Sequence, residues 1–192
     1  LRALILSLGV RGKLVPQRTD DESATLLLER IEEKKGHSIA EGKAKRGKSP
    51  PPIREDELPF ELPVGWVWTR LGELTRLENG DRSSNYPSRD KFVGHGVAFI
   101  NAGHLLNERV DYSEMNFITE QHFGLLRSGK AQQGDILYCL RGSLGKFALV
   151  TEDTPAAIAS SLVIVRPLER QCSSYLLQYL ASPLAPELIT RF

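Results

Sequence analysis

Thirteen consecutive residues leave this chain little choice of local structure: Gly134-Asp135-Ile136-Leu137-Tyr138-Cys139-Leu140-Arg141-Gly142-Ser143-Leu144-Gly145-Lys146. Ile136, Tyr138 and Leu140 alternate with Leu137 and Cys139, so an extended segment here carries apolar groups on both faces and must be covered on both. Gly142 and Gly145 then bracket a turn, and the spacing predicts a second strand from Lys146 to Thr151. Glycine supplies the positive φ angles that such turns require. The turn presents Arg141, Ser143 and Lys146. One reading is a hairpin with solvated charges. The other is that two cations and a hydroxyl on a rigid turn meet phosphates and base edges.

The rest of the chain divides by pattern. Leu1, Leu4, Ile5 and Leu8 repeat at helical spacing, and Gly12 ends that helix. Ala24, Leu27, Leu28 and Ile31 form a second stripe, with Asp20, Asp21 or Ser23 as cap. Its other face is a charged, solvated run from Glu29 to Lys35. Glu41–Arg54 holds five cations and one anion, a net of +4, and contains Pro50-Pro51-Pro52. Such a segment passes from an exposed basic stretch into a stiff extended linker. Trp66 and Trp68 share one face of an extended segment and read as packing anchors. Arg70–Leu77 reads as a short helix and Glu78–Gly94 as a long polar loop. Val97–Asn101 is a strand, and Thr119–Arg127 a helix capped by Thr119. Further strands are expected at Asp135–Leu140 and Leu162–Val165. A last helical stripe runs from Cys172 to Leu180 and is interrupted at Ser182-Pro183.

Several of these pieces, in this order, resemble the specificity subunit of type I restriction-modification systems. They are Gly12-Lys13-Leu14-Val15-Pro16-Gln17, Leu27 to Ile31, Leu62-Pro63-Val64-Gly65-Trp66-Val67-Trp68, and Gly134 to Leu137 with Arg141-Gly142 and Gly145-Lys146. The resemblance implies a subunit without a catalytic site. It implies a target recognition domain that reads double-stranded DNA, and helices that dock DNA methyltransferase (modification) subunits. S-adenosylmethionine, ATP and magnesium would then belong to partners, the modification subunit and a motor-nuclease (restriction) subunit, and this chain would hold no cofactor. The fold expected is α/β: a single target recognition domain with a mixed sheet, flanked by N-terminal helices and a C-terminal helix. Residues 1–49 would be the helical and basic region, 50–64 the Pro-rich linker, and 65–192 the recognition domain with the start of a spacer helix. The family usually carries two recognition domains, so the sequence, which lacks an initial methionine, reads as a partial chain.

Composition narrows the mode of binding. Net charge is +1 over 192 residues. From Gly65 to Phe192 there are 13 Lys/Arg and 13 Asp/Glu, which is not the footprint of a tight independent DNA binder. Cys139 and Cys172 are expected as buried free thiols, which suits a reducing cytoplasm. The apolar start lacks a cleavage site, and no run approaches membrane-spanning length.

Catalytic motifs fail on inspection. Gly142-Ser143-Leu144-Gly145-Lys146 imitates a phosphate-binding loop, but Leu140 and Phe147 stand where glycine and a hydroxyl are needed. Asn85-Tyr86-Pro87 is not an amino-methyltransferase motif. His37, His95, His104 and His122 lack metal-ligand spacing. Glu32-Glu33-Lys34 echoes a nuclease element but sits on a charged helix. The alternatives to recognition are a nuclease or fused restriction-methylation fragment, and a helical interaction module in Leu1–Lys35. The candidate DNA contacts are Arg82, Ser84, Asn85, Tyr86, Arg89 and Lys91 in one loop, Arg141, Ser143 and Lys146 in the turn, and Asn101 with His104 after a strand. Arginine suits guanine and asparagine suits adenine; lysine suits phosphate.

Overall fold

Gly12, Gln17 and Trp66 show why two distant pieces of the sequence belong together. In the computed structural model, Trp66 Nε1 donates to Gln17 Oε1 at 2.8 Å and Gln17 Nε2 donates to the Gly12 carbonyl at 2.6 Å. A Cβ on Gly12 would lie 2.8 Å from Pro63 and 2.9 Å from the Trp66 ring. The structure describes residues 1–18, 20–41 and 50–191. The basic residues Lys43, Lys45, Arg46 and Lys48 lie outside the described residues.

Two compact units are present: Leu1–Thr75 with Leu168–Phe192, and Arg76–Pro167. The second is therefore inserted into the first. The boundaries expected at 49/50 and 64/65 both fall inside the first unit.

The first unit is helical. It holds α1 (Arg2–Val10), α2 (Ala24–Ala40), α3 (Leu71–Leu74), α5 (Cys172–Ala181) and α6 (Leu184–Arg191). Ser23 begins α2, its hydroxyl accepting from Thr25 N at 3.3 Å and its carbonyl from Leu26 N at 3.1 Å. Tyr175 on α5 donates to the Val10 carbonyl at 3.2 Å and meets Trp66 edge to face. Trp68 packs on Phe60 with ring centroids 4.8 Å apart. Both tryptophans are thus packing anchors, as the sequence led one to expect. Arg70 holds Glu57 at 2.7 Å and reaches the carbonyls of Pro51 and Pro52. Leu168 N donates to the Leu74 carbonyl at 2.9 Å, which closes the base of the insertion.

The second unit contains α4 (Glu120–Leu125) and the strands β2 (Val97–Ile100), β3 (Leu105–Leu106), β4 (Glu108–Val110), β5 (Asn116–Ile118), β6 (Lys130–Ala131), β7 (Ile136–Cys139), β8 (Phe147–Leu149), β9 (Ala156–Ile158) and β10 (Leu162–Pro167). β1 (Thr75–Asn79) leads into it. One sheet was expected; there are two. The six-stranded sheet has the order β1-β10-β7-β8-β4-β3, and the four-stranded sheet β5-β2-β9-β6. Both are mixed: β4 with β8 and β2 with β9 run parallel, while the other registered pairs are antiparallel.

The small sheet is the middle layer. Ile100, Ala156 and Ile158 point into one core with Leu137, Cys139, Leu162 and Ile164 of the large sheet. Phe99, Ala157 and Ile118 point the other way, against Leu126, Phe92 and Phe123. Alternation along β2 and β9 therefore fills both faces. Cys139 and Cys172 are free and buried. Thr119 caps α4, accepting from His122 N at 3.1 Å. The helix expected over Arg70–Leu77 ends at Leu74, because Thr75 onward pairs as β1 beside β10. Glu78 belongs to that strand rather than to the loop.

Candidate functional site

Three chain segments lie side by side at one end of the adjacent strands β1, β10 and β7 of the large sheet. Gly80 N donates to the Leu162 carbonyl at 3.3 Å, and Leu140 N donates to the Ser161 carbonyl at 2.9 Å. The residues after β1, before β10 and after β7 are thus neighbours. The polar loop that follows Gly80 and the turn that follows Leu140 consequently share a rim with Ser160 between them.

The loop leaves the sheet by a close backbone approach. A Cβ on Gly80 would lie 2.4 Å from the Ala159 carbonyl oxygen, so no larger residue fits. Asp81 follows, 2% exposed. Its carboxylate accepts from Ser83 N at 2.6 Å and from Arg127 N at 2.5 Å. Burial pushes this carboxyl up, but the Ser83 hydroxyl and the amides of Ser83, Arg127 and Ser128 outweigh it and hold the group below the usual aspartate range. Asp81 is therefore a buried anchor that fixes the backbone from which Arg82 starts.

Arg82 and Arg141 meet at one atom. Arg141 Nη2 donates to the Ser160 carbonyl at 2.7 Å, and Arg82 Nη2 reaches the same oxygen at 3.5 Å. The two candidate segments, far apart in sequence, are joined there. Below the turn, Cys139 N donates to the Lys146 carbonyl at 2.8 Å and Gly145 N to the Cys139 carbonyl at 3.3 Å. Gly142 and Gly145 take φ of +83° and +88°. Ser143 and Lys146 are exposed on this turn. Tyr138, 4% exposed, places its hydroxyl beneath Gly145 with no protein hydrogen-bond partner.

The remaining candidates differ in how far they are committed to the protein. Arg89 is exposed on a 3-10 turn, and Ser84 is exposed earlier in the loop. Lys91 pairs with Asp90 at 3.2 Å. Asn85 donates to the Leu125 carbonyl at 2.9 Å, and its own carbonyl meets His122 Nε2 at 2.9 Å. Tyr86 packs edge to face on Phe99. Asn101 accepts from Gly103 N at 2.8 Å, and His104 Nδ1 accepts from Asn101 N at 3.0 Å, so the pair caps its own turn. His104 Nε2 lies 3.3 Å from the Glu114 carbonyl. Ile100 pairs with Ile158 in the parallel β2–β9 ladder, so Asn101 leaves the small sheet at the same end as Ala159 and Ser160.

Sequence reasoning missed two participants. Ser160 contributes only a carbonyl, which no side-chain pattern reveals. Arg127 is exposed, and its amide is tied to Asp81, the residue before Arg82; its position follows from a pairing that is invisible in sequence. Among the described residues no group of three His, Cys, Asp or Glu is arranged to hold a metal ion, and no helix is long and apolar enough to cross a membrane.

No protein-family model matches the chain. It is 40% identical over 129 residues to the type I restriction enzyme EcoAI specificity subunit of Escherichia coli, a match that covers 62% of this chain and 22% of that protein. It is 51% identical over 74 residues to the EcoEI specificity subunit of the same organism, covering 38% of this chain and 12% of that protein. The chain thus spans about a fifth or less of the length of these curated relatives. A solved chain from a study of complex assembly and conformational transition of the type I R-M system aligns over 85% of this chain and 40% of its own length, with TM-score 0.52 and 22% identity, a likeness of fold.

Proposed function

We propose that this chain, related along part of its length to type I restriction-enzyme specificity subunits, reads one part of a DNA target on behalf of partner enzymes. The carrying observation is the convergence of the loop after Gly80 and the turn after Leu140 on the Ser160 carbonyl. Two polar segments, both rich in side chains suited to DNA, form one rim at the ends of β1, β10 and β7. Relatives bearing the specificity-subunit name support the same reading.

The parts then have distinct roles. Arg89, Ser84, Ser143 and Lys146 extend into solvent and are free to enter a groove. Asn85, Tyr86, Asn101 and His104 already spend donors, acceptors or ring edges within the unit, so their contribution is to shape the rim. Methyl transfer and strand cleavage, with S-adenosylmethionine, ATP and magnesium, belong to modification and motor-nuclease subunits. This chain contributes no reacting group and works in the cytoplasm, where such complexes meet DNA.

The test is selection of duplexes from a randomised pool by the full chain, with and without a cognate modification subunit, followed by sequencing. A recurring short motif supports the reading. Recovery of duplexes without any common motif, in both arms, overturns it.

A further inference from the structure

We infer that Arg82 and Arg141 together form the seat of one DNA backbone phosphate and do not read bases; this rests on the DNA-recognition reading above. Arg141 donates one N–H to the Ser160 carbonyl at 2.7 Å, and Arg82 Nη2 reaches the same oxygen at 3.5 Å. The two terminal nitrogens sharing that oxygen are therefore held within one phosphate's reach of each other. The oxygen is rigidly placed. It belongs to the short link between β9 and β10, whose flanking residues Ile158 and Leu162 are 1% and 0% exposed.

That pinning decides between two uses of arginine. Reading guanine requires the side chain to extend from the protein surface into the major groove. A guanidinium bonded to its own domain's backbone is folded back onto the surface instead, where a phosphate passes. Each fork still has unused N–H donors, and a phosphodiester offers oxygens to satisfy forks from two sides. The neighbouring carboxylate, Asp81, is buried with both oxygens engaged by backbone amides, so it does not compete for these donors. Two like charges held together at the surface repel, and an anion between them removes that repulsion. The backbone geometry also pre-positions the forks, which lowers the ordering cost of binding. Base discrimination would then rest with the unpinned side chains, Arg89 first among them.

The test uses the full chain at low ionic strength with the selected duplex and with singly substituted versions of it. Arg82→Ala and Arg141→Ala should each weaken binding to every duplex by the same factor and reduce the slope of log K against log salt by about one. The double variant should lose little more than the worse single variant, because both act on one phosphate. Neutralising phosphates one at a time as methylphosphonates should reveal a single linkage at which wild type and Arg141→Ala become equal. Arg141→Lys, which keeps the charge and loses the fork, should retain the salt slope with reduced affinity. A loss confined to one base pair in either alanine variant overturns the seat while leaving DNA reading intact. So does inorganic phosphate saturating the arginine NMR signals with no methylphosphonate position coupled, which would mark a free-phosphate site. Absence of any selected motif is the separate failure of the underlying reading.

Discussion

Replacing Asp81 by asparagine preserves the side chain's shape and turns one accepting atom into a donor. Asp81 Oδ2 faces Arg127 N and Oδ1 faces Ser83 N, so an amide satisfies one and opposes the other. Asp81→Asn should cost about 1–3 kcal/mol in urea unfolding, the cost of a buried donor left unmet. It should also flatten the acid limb of stability. The folded carboxyl titrates below its unfolded value, so the unfolded chain binds more protons as pH falls. Its contribution is complete above the unfolded aspartate range and is lost as pH drops through the depressed folded value. An acid limb unchanged in the variant would refute the anchor. Tyr138 makes the opposite case. Its buried hydroxyl has no protein partner, so Tyr138→Phe should leave the melting temperature unchanged or raise it. Asp135 is 1% exposed and binds Arg166 through two bonds of 2.7 Å. Asp135→Ala removes the carboxylate that Arg166 and Gln132 N share, leaving the half-buried guanidinium only the Lys130 carbonyl at 3.0 Å, and should cost about 2–4 kcal/mol, read as a shift in the denaturation midpoint.

Among elements, the hairpin β7–β8 was legible because its strand is continuously apolar and its turn glycines are explicit. α1, α2 and α5 were legible from the helical spacing of their apolar residues, and Thr119 announced the cap of α4. β9 was not. Ala156-Ala157-Ile158 has little strand propensity, yet both its faces are buried between layers. β3 and β4 were hidden by chemistry: Asn107 and Glu108 take φ of +50° and +65°, the geometry of a two-residue hairpin turn, without the glycine that normally signals it. The rim was half legible. Its arginines could be picked out, but their common partner is a main-chain oxygen supplied by an unforeseen strand's end. The turn itself offers a clean check. Space beside Gly142 is open, so Gly142→Ala carries only the left-handed backbone penalty, about 1–2 kcal/mol, and Gly142→Asn should cost less. In the helical unit Tyr175 is 41% exposed, but its hydroxyl is tucked against the Val10 carbonyl, and this desolvation pushes the phenol up to about 12, with Tyr179 adding to it. A raised folded value means stability is full below the unfolded tyrosine range near 10 and falls as pH climbs toward 12. Circular dichroism in that window should show α-helix loss that is shallower in Tyr175→Phe.

At the scale of the molecule, charge sets the manner of the DNA binding proposed above. Arg76–Pro167 contains ten Lys/Arg and ten Asp/Glu, so the rim that carries Arg82 and Arg141 is a local accumulation of cations on a neutral unit. The chain alone should bind DNA weakly, with a shallow salt slope, and tighten when a modification subunit supplies further phosphate contacts. Fluorescence anisotropy across a salt series checks this, and nanomolar binding to unrelated duplexes at physiological salt by the chain alone would refute it.

The hydrogen bond from Leu168 N to the Leu74 carbonyl has a mechanical meaning. It joins the two strands of chain that lead into and out of the inserted unit. Tension applied to the ends of the protein runs through the helical unit and across that clasp, bypassing both sheets until the clasp parts. Under load the helical unit should therefore yield first, and the strand ends that carry Arg82 and Arg141 should keep their shape while the helices are being drawn out.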